Sequence, residues 1–554
     1  MKCKLFKKVA LFLCSLFVVS SCDNNKDTSW FKFYNENRQE FNTSVFYGNV
    51  KTMQGADPSL IYVEEKEGDQ DSGYYYAYVT ATSTINAWRT KDMTHWQYLG
   101  AVFRPNLDIH WGYLNFWAPA VHYEESNQTY YMYYSATWKK HSNSHYVSLA
   151  TSKSPMGPFK EYHSDSEPLI NFNKIPSDHP LFEYHAPESG IPNGYFSAID
   201  AEPFLDPTDN QKYLLFTHDK GAGYSSSSTY IMKMNEWWDP DYSSVTCISQ
   251  TGVTSIGGSN EIDEGTVNEG PYMFYHDGLY YLTFSVNTYL ESTYQVRQAV
   301  GKSPMGPFTK IDVDKGGTII TTDGLNIYTN SSGHHSFIKV GDQLYISYHT
   351  FLNDSDIVEA RKIRFDKISF VVNQDGIPVI YANGPTVTLQ PLPSLISGYK
   401  DIASNADVKA TNVAKGSSAY WLNDGTIKMH ENSLVEETIF NKGKSKITLN
   451  WDDYVTSKAI MVYNSSDYDT SFTQIDNIRI FYKNDGKEGY IDTGKLVFNY
   501  DIFAEEDYKC IFVGSSIAIE YQDMLIKQIQ ITVSKSKGNG NIAIPEITVL
   551  GKQV

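Results

Sequence analysis

The chain is predicted to be all-β, and three observations carry the prediction. Aromatic residues are abundant, with 42 Tyr, 28 Phe and 10 Trp among 554 residues, and such side chains favour pleated, half-buried surfaces. Beyond the first twenty residues the apolar residues alternate with a strand's period, and no long amphipathic helix stripe is found. A short turn-and-strand phrase then recurs five times before residue 400.

Taken in order, the N-terminus reads as a targeting segment. Lys2, Lys4, Lys7 and Lys8 form a basic region, and Val9 to Ser20 form an apolar run too short for a membrane span. The run ends in Val19-Ser20-Ser21-Cys22, which resembles a bacterial lipobox. The resemblance implies a signal peptide over residues 1–21, lipidation of Cys22, and anchoring in the bacterial envelope, at the outer membrane, on its periplasmic or surface face. Residues 22–44 read as a solvated tether. Cys247 and Cys510 fall in different predicted domains, so a disulfide framework is not expected. The formal charge of −18 argues against a nucleic-acid partner, which would require a basic face.

The repeat occupies residues 45–395. Five Tyr-rich strands each follow a turn: Tyr74 to Tyr78, Tyr130 to Tyr134, Tyr213 to Phe216, Tyr280 to Phe284 and Leu344 to Tyr348. Each is preceded by a shorter apolar strand opening on Asp57, Trp117, Asp200, Glu269 or His334. A second echo keeps the register: Ser154-Pro155-Met156-Gly157-Pro158-Phe159 returns as Ser303-Pro304-Met305-Gly306-Pro307-Phe308. Five units of four short antiparallel strands predict a five-bladed β-propeller, in which radial repetition protects the strand edges. The innermost strands line its axis, so their opening residues should meet at one mouth, and three of the five openers are carboxylic acids.

Carboxylates gathered in one pocket repel each other, which raises one pKa while another stays low. Hydrolysis of a glycosidic bond needs that division, with one protonated acid for the leaving oxygen and one ionised carboxylate acting on water or carbon. Glu202 and Glu264 lie near these acids in sequence and read as bystanders.

These residues also carry a resemblance. Asp57 in Ala-Asp-Pro-Ser, Asp200 in Ala-Ile-Asp-Ala-Glu-Pro-Phe, Glu269 in Glu-Gly-Pro, His334 in Gly-His-His-Ser and Trp117 in Phe-Trp-Ala-Pro look like the signature set of glycoside hydrolase family 43. The resemblance implies an inverting mechanism: Asp57 as general base, Glu269 as general acid, and Asp200 raising the acid's pKa and orienting it. An inverting pair would stand about 6.5–9.5 Å apart. The related retaining sucrose- and fructan-cleaving propellers carry Asn-Asp-Pro-Asn, Arg-Asp-Pro and Glu-Cys signatures, which are absent here. The resemblance further implies substrate binding by Trp117 as an apolar wall, by Arg297 from the fourth blade, and by His334 at the axis. It implies no cofactor for the reaction and no protein metal ligand, while allowing a structural calcium ion at the axis. The substrate class it implies is plant polysaccharide side chains or oligosaccharides. Exo removal of α-L-arabinofuranosyl units comes first, then β-D-xylosides, then β-galactosyl or galactofuranosyl units; a carbohydrate-binding surface lipoprotein without catalysis is the rival from another class. Glu161 to Tyr195 and Gly221 to Thr229 read as loops, where specificity usually resides.

After the Pro-rich junction at Gln390-Pro391-Leu392-Pro393-Ser394 the strand grammar changes. Ala403 to Gly416, Trp421 to Gly425, Ile447 to Trp451 and Ile544 to Gly551 resemble a discoidin-like (coagulation factor type C) jelly roll. A β-sandwich over residues 400–554 is therefore expected.

Overall fold

The computed structural model describes residues 31–34, 43–49 and 53–552, with breaks at 164, 171–173, 177, 180–196, 220–225, 257, 259–261, 323–329, 352–360, 429–433, 485, 499–502, 506–507, 512 and 537–539. Cys22, the predicted leader and most of the Glu161–Tyr195 loop lie outside the described residues.

Five antiparallel sheets follow one another along the chain and form the five blades. Blade 1 comprises Ser59–Val63, Tyr74–Thr80, Ile85–Thr90 and Gln97–Phe103. Blade 2 comprises Gly112–Glu124, Thr129–Trp138, His141–Ser152 and Lys160–Glu161. Blade 3 runs Ala198–Leu205, Lys212–His218 and Ser228–Glu236, with both Asp239–Pro240 and Thr246–Gln250 on its third strand. Blade 4 runs Asn268–His276, Leu279–Val286 and Gln295–Gly301, with Phe308–Lys310 and Thr318–Ile320 outermost. Blade 5 comprises Asn330–Val340, Gln343–Phe351, Lys362–Val372 and Pro378–Ala382. The Tyr-rich runs are the second strand of every blade, and in blade 2 all ten residues of that strand are buried.

The heavy use of Tyr follows from the architecture. A second strand is covered on both faces by neighbouring blades, and a phenol fills that space while its hydroxyl reaches a polar group at the far side. Tyr78 donates to the Pro155 carbonyl and Tyr281 to the Pro378 carbonyl, each at 2.7 Å. The ring closes by strand pairing: Phe46–Gly48 lies antiparallel to Leu389–Pro391. Just before the first blade, Gly55 donates its N–H to the Arg361 carbonyl at 3.0 Å.

The C-terminal body is a nine-stranded sheet built around the long strands Lys444–Tyr463, Phe472–Asn484 and Ser516–Ser536. The pair Thr438–Phe440 and Ile542–Ile544 forms an opposing layer. Ile447, Leu449, Ile478, Ile529 and Ile531 from the sheet meet Phe440, Ile542 and Ile544 from that layer in one core, which makes the body a sandwich. One stretch departs from the sequence reading. Within the segment read as a tether, Lys32–Tyr34 is a strand paired antiparallel with residues 518–520 of the C-terminal sheet. The physical reason is the aromatic run Phe31-Lys32-Phe33-Tyr34: Phe31 and Tyr34 are buried, and Tyr34 donates to Glu520 Oε2 at 3.0 Å.

Candidate active site

In or just before each inner strand, two residues ahead of where its regular pairing runs on, one residue at an equivalent position takes a left-handed backbone, in addition to Asn115 and Ser331 further upstream in blades 2 and 5. The five are Asp57 (φ 52°), Ala118 (46°), Asp200 (57°), Gly270 (55°) and His334 (47°). In blades 2 to 5 the strand pairing slips at this point and resumes two residues later, at Ala120, Glu202, Tyr272 and Ser336. A non-glycine residue with positive φ is uncommon and clusters at functional sites. This register corrects the sequence alignment by one residue in two blades: Trp117 and Glu269 precede the left-handed residue, whereas Asp57, Asp200 and His334 occupy it.

Each left-handed residue turns its N–H away from the sheet ladder, and that donor needs a partner. The second strand of the preceding blade supplies it four times. Thr80 Oγ1 accepts from Ala118 (2.8 Å), Ser135 Oγ from Asp200 (3.3 Å), Ser285 Oγ from His334 (2.8 Å), and His349 Nδ1 from Asp57 (3.2 Å), which passes from blade 5 back to blade 1. The exception is Gly270, whose N–H is accepted by the Asp200 carboxylate at 3.0 Å. Thr217 stands at the corresponding place in blade 3, and its hydroxyl has no hydrogen-bond partner among the described residues. One carboxylate has therefore taken over a structural hydrogen bond, which ties Asp200 to the residue after Glu269.

The three acids sit in different electrostatic surroundings. Asp57 is buried, which alone would raise its pKa, but His334, Arg361 and His349 overcome that and hold it well below the usual carboxylate range. His334 Nδ1, His349 Nδ1 and Arg361 Nη1 lie 3.4, 3.2 and 3.3 Å from Asp57 Oδ1, and Thr80 donates to Oδ2. Because the Asp57 N–H points at His349 Nδ1, that nitrogen is an acceptor, the ring is neutral, and the standing positive charge beside Asp57 Oδ1 is the Arg361 guanidinium. Burial agrees, pushing the His349 pKa down to about 4.

Glu269 shows the opposite balance. Burial pushes its pKa up to about 7, the Tyr294 hydroxyl at 2.7 Å pulls it down, and the charges of Asp57 and Asp219 push it up again. Asp200 is raised well above the carboxylate range by burial, then by Glu269 and Asp57, against the Gly270 hydrogen bond. Asp200 and Glu269 therefore act as a coupled pair that retains a proton through neutral pH.

Glycine at two places makes this geometry reachable. A Cβ on Gly270 would come within 3.1 Å of the His334 ring, and one on Gly333 would collide with the Tyr294 ring. These two glycines let His334 close on Asp57 and Tyr294 close on Glu269.

Of the remaining sequence-predicted residues, Trp117 is half-buried and its ring stacks on His145 at 4.5 Å. His334 is placed on Asp57, its Nδ1 3.4 Å from Oδ1. Arg297 is not among the partners of the acids. It is buried, and its charged neighbours are Glu264 and Asp263. Its strand carries Ala299 on the same face into the core shared with blade 3. Glu264 is engaged by Lys310, Asn268 and the Gly252 N–H. Glu202 is an isolated acid whose pKa burial lifts to about 8.

Sequence reasoning missed Thr80, Tyr294, His349 and Arg361. Thr80 and His349 had a signal: a polar residue follows the apolar run of every second strand, as Thr80, Ser135, Thr217, Ser285 and His349. Among the described residues no three His, Cys, Asp or Glu side chains converge on a metal position. No step below passes through a metal.

Residues 48–378 match the protein family described as glycosyl hydrolases family 43. The chain belongs to that family. A characterised relative, the β-D-galactofuranosidase xynD of Aspergillus niger, is 26% identical over 248 residues, 43% of this chain and 58% of that protein. The match thus spans less than two thirds of the relative's length. Among solved structures, a thermostable family-43 glycoside hydrolase aligns with 27% identity and a TM-score of 0.48, over 63% of this chain and 99% of that one. An endo-1,4-β-xylanase from Bacteroides thetaiotaomicron aligns with 22% identity and a TM-score of 0.46, over 62% and 98%.

Proposed function

We propose that this family 43 glycoside hydrolase inverts the anomeric centre and removes terminal α-L-arabinofuranosyl units from plant polysaccharide side chains or oligosaccharides. The observation that carries the mechanism is the division between Asp57, held ionised by His334 and Arg361, and the proton-retaining Asp200–Glu269 pair. In this mechanism Asp57 takes a proton from water as that oxygen attacks the anomeric carbon. Glu269 gives its proton to the leaving oxygen, so one proton is accepted and one delivered at two different carboxyls. Asp200, bonded to the Gly270 N–H, fixes the backbone beside Glu269 and shares its proton.

The furanose choice rests on the sequence resemblance. A second reading, cleavage of β-D-galactofuranosides, is favoured by the name of the Aspergillus relative; β-D-xylosides come after it. Cys22 would carry a lipid and hold the enzyme in the bacterial envelope, and the C-terminal sandwich would be a discoidin-like accessory domain.

The test is hydrolysis of 4-nitrophenyl α-L-arabinofuranoside, β-D-galactofuranoside, β-D-galactopyranoside and β-D-xylopyranoside by the protein from residue 23. Proton NMR would follow the first anomer released. Release of the inverted sugar from the first substrate, lost in Asp57→Asn, supports the reading. Retention of configuration, or full activity of Asp57→Asn, overturns it.

A further inference from the structure

Trp117 and Glu269 occupy the same register, each one residue before the left-handed residue of its inner strand, so their side chains leave the backbone at equivalent points of the same mouth. Behind Trp117 stands a polar assembly that the catalytic division of labour does not use. The His145 ring lies 4.5 Å from the Trp117 ring at an interplanar angle of 27°. Its Nδ1 is 3.4 Å from Asp219 Oδ2, and its Nε2 is 3.5 Å from the Asn115 amide.

Ser197 joins the two blades at this point. Its hydroxyl accepts the His145 N–H at 3.0 Å and lies 3.4 Å from Asp219 Oδ2, while its carbonyl accepts the Asp219 N–H at 3.0 Å. His145 belongs to the third strand of blade 2, Ser197 directly precedes the inner strand of blade 3, and Asp219 directly follows that blade's second strand. Both side chains are largely but not fully covered, at 15% and 18% exposure. A largely covered histidine–carboxylate pair backing an aromatic face suits a sugar, with C–H groups on the ring and hydroxyls on its polar margin.

We propose that His145 and Asp219 complete the sugar-binding wall begun by Trp117. Asp219 is a positioning residue that holds His145 against the indole, and the Trp117–His145 stack receives one face of the terminal glycosyl unit. The inference rests on the glycosidase reading for its substrate class. Asp219 has a second effect, since its charge also pushes Asp200 and Glu269 upward, which places it beside the acid side of the site.

The experiment compares His145→Ala, His145→Phe, Asp219→Asn and the unmodified protein on 4-nitrophenyl α-L-arabinofuranoside. KM and kcat are determined separately, and thermal unfolding is recorded for each. Loss of a wall that binds ground and transition states alike raises KM with little change in kcat. The expected result is a rise in KM of about 10-fold for His145→Ala with kcat within about 3-fold, and a similar rise in KM for Asp219→Asn, whose kcat also falls toward alkaline pH because a charge that raises Glu269 is lost. His145→Phe, which keeps a ring against Trp117, recovers most of the loss. Unchanged KM in His145→Ala overturns the proposal. So does a fall in kcat alone, or failure of His145→Phe to recover what His145→Ala loses.

Binding of the same glycoside to Glu269→Gln protein, with and without Asp219→Asn, reads the wall apart from catalysis. Asp219-dependent binding without hydrolysis by the unmodified protein sinks the glycosidase reading and keeps the wall. Hydrolysis with an Asp219-independent KM does the reverse, and no binding at all sinks both.

Discussion

The ring of Tyr294 fills the space that a side chain on Gly333 would need, and its hydroxyl then reaches Glu269 Oε1 at 2.7 Å. A glycine in blade 5 thus determines where a phenol of blade 4 can bond to the acid. Gly333→Ala forces that ring to move and should lower kcat/KM by about 10-fold or more, since loss of a well-placed hydrogen bond and a shift of the acid both act on the transition state. Steady-state kinetics on the folded variant would show it.

Tyr294→Phe tests the electrostatic half of the same contact. The Tyr294 hydroxyl stabilises the ionised form of Glu269 and so lowers a pKa that burial has raised to about 7. Removing it raises that pKa further. The alkaline limb of kcat/KM, which in the unmodified enzyme should fall off near pH 7 as Glu269 loses its proton, is expected to move to higher pH in the variant. A limb that moves down would contradict the assignment.

Arg361→Ala addresses the base. The guanidinium lies 3.3 Å from Asp57 Oδ1 and favours its ionised form. Without it the Asp57 pKa rises, so the base is protonated over a wider acidic range. The acidic limb of the pH profile should shift upward, with kcat near the optimum reduced less than in Asp57→Asn, where about 10²–10⁴-fold is expected for loss of a general base.

Glu269→Gln should cost as much as about 10²–10⁴-fold on natural oligosaccharides, because their alkoxide leaving groups need a proton. On 4-nitrophenyl glycosides the loss should be much smaller, since nitrophenolate leaves without assistance. A difference in loss between the two substrate types, measured side by side, identifies the acid; equal losses would argue against it.

Phe31→Ala probes the N-terminal strand. Phe31 is buried in the core of the C-terminal sandwich and meets Tyr521 edge-on at 5.8 Å. Truncating such a ring costs about 3–5 kcal/mol. The expected outcome is a lower unfolding temperature for the sandwich with kcat unchanged, read by calorimetry and an activity assay together.

The propeller was legible because its repeat is written in aromatic residues that must be buried between blades, and every Tyr-rich run predicted from the sequence is a second strand. The acids were legible for the same reason, since they stand at nearly equivalent points of a repeat. What stayed hidden was geometry on the scale of a single residue. Nothing in Trp117-Ala118 announces that the left-handed position is the second of the pair, whereas Gly270 after Glu269 is the residue type that adopts it without strain. Arg361 was hidden because Asp57 calls for a cation without saying from which blade it comes. Arg297 could not be placed from sequence, since only the alternation along its strand turns it toward blade 3, where Glu264 and Asp263 set its surroundings. Lys32–Tyr34 was overlooked because a three-residue strand borrows its stability from a sheet nearly 490 residues further along the chain.

The hydrogen-bond ring about the axis has a consequence for how the enzyme comes into being. Asp57 emerges early in synthesis, yet the N–H acceptor His349 and the cation Arg361 lie 292 and 304 residues later. Until blade 5 exists, burying Asp57 would strand an uncompensated carboxylate, a state costly enough to be avoided. A nascent or truncated chain that stops before residue 361 therefore has reason to leave its first blade unsealed. The surroundings of the proposed base are then completed in one step, when the last blade docks on the first.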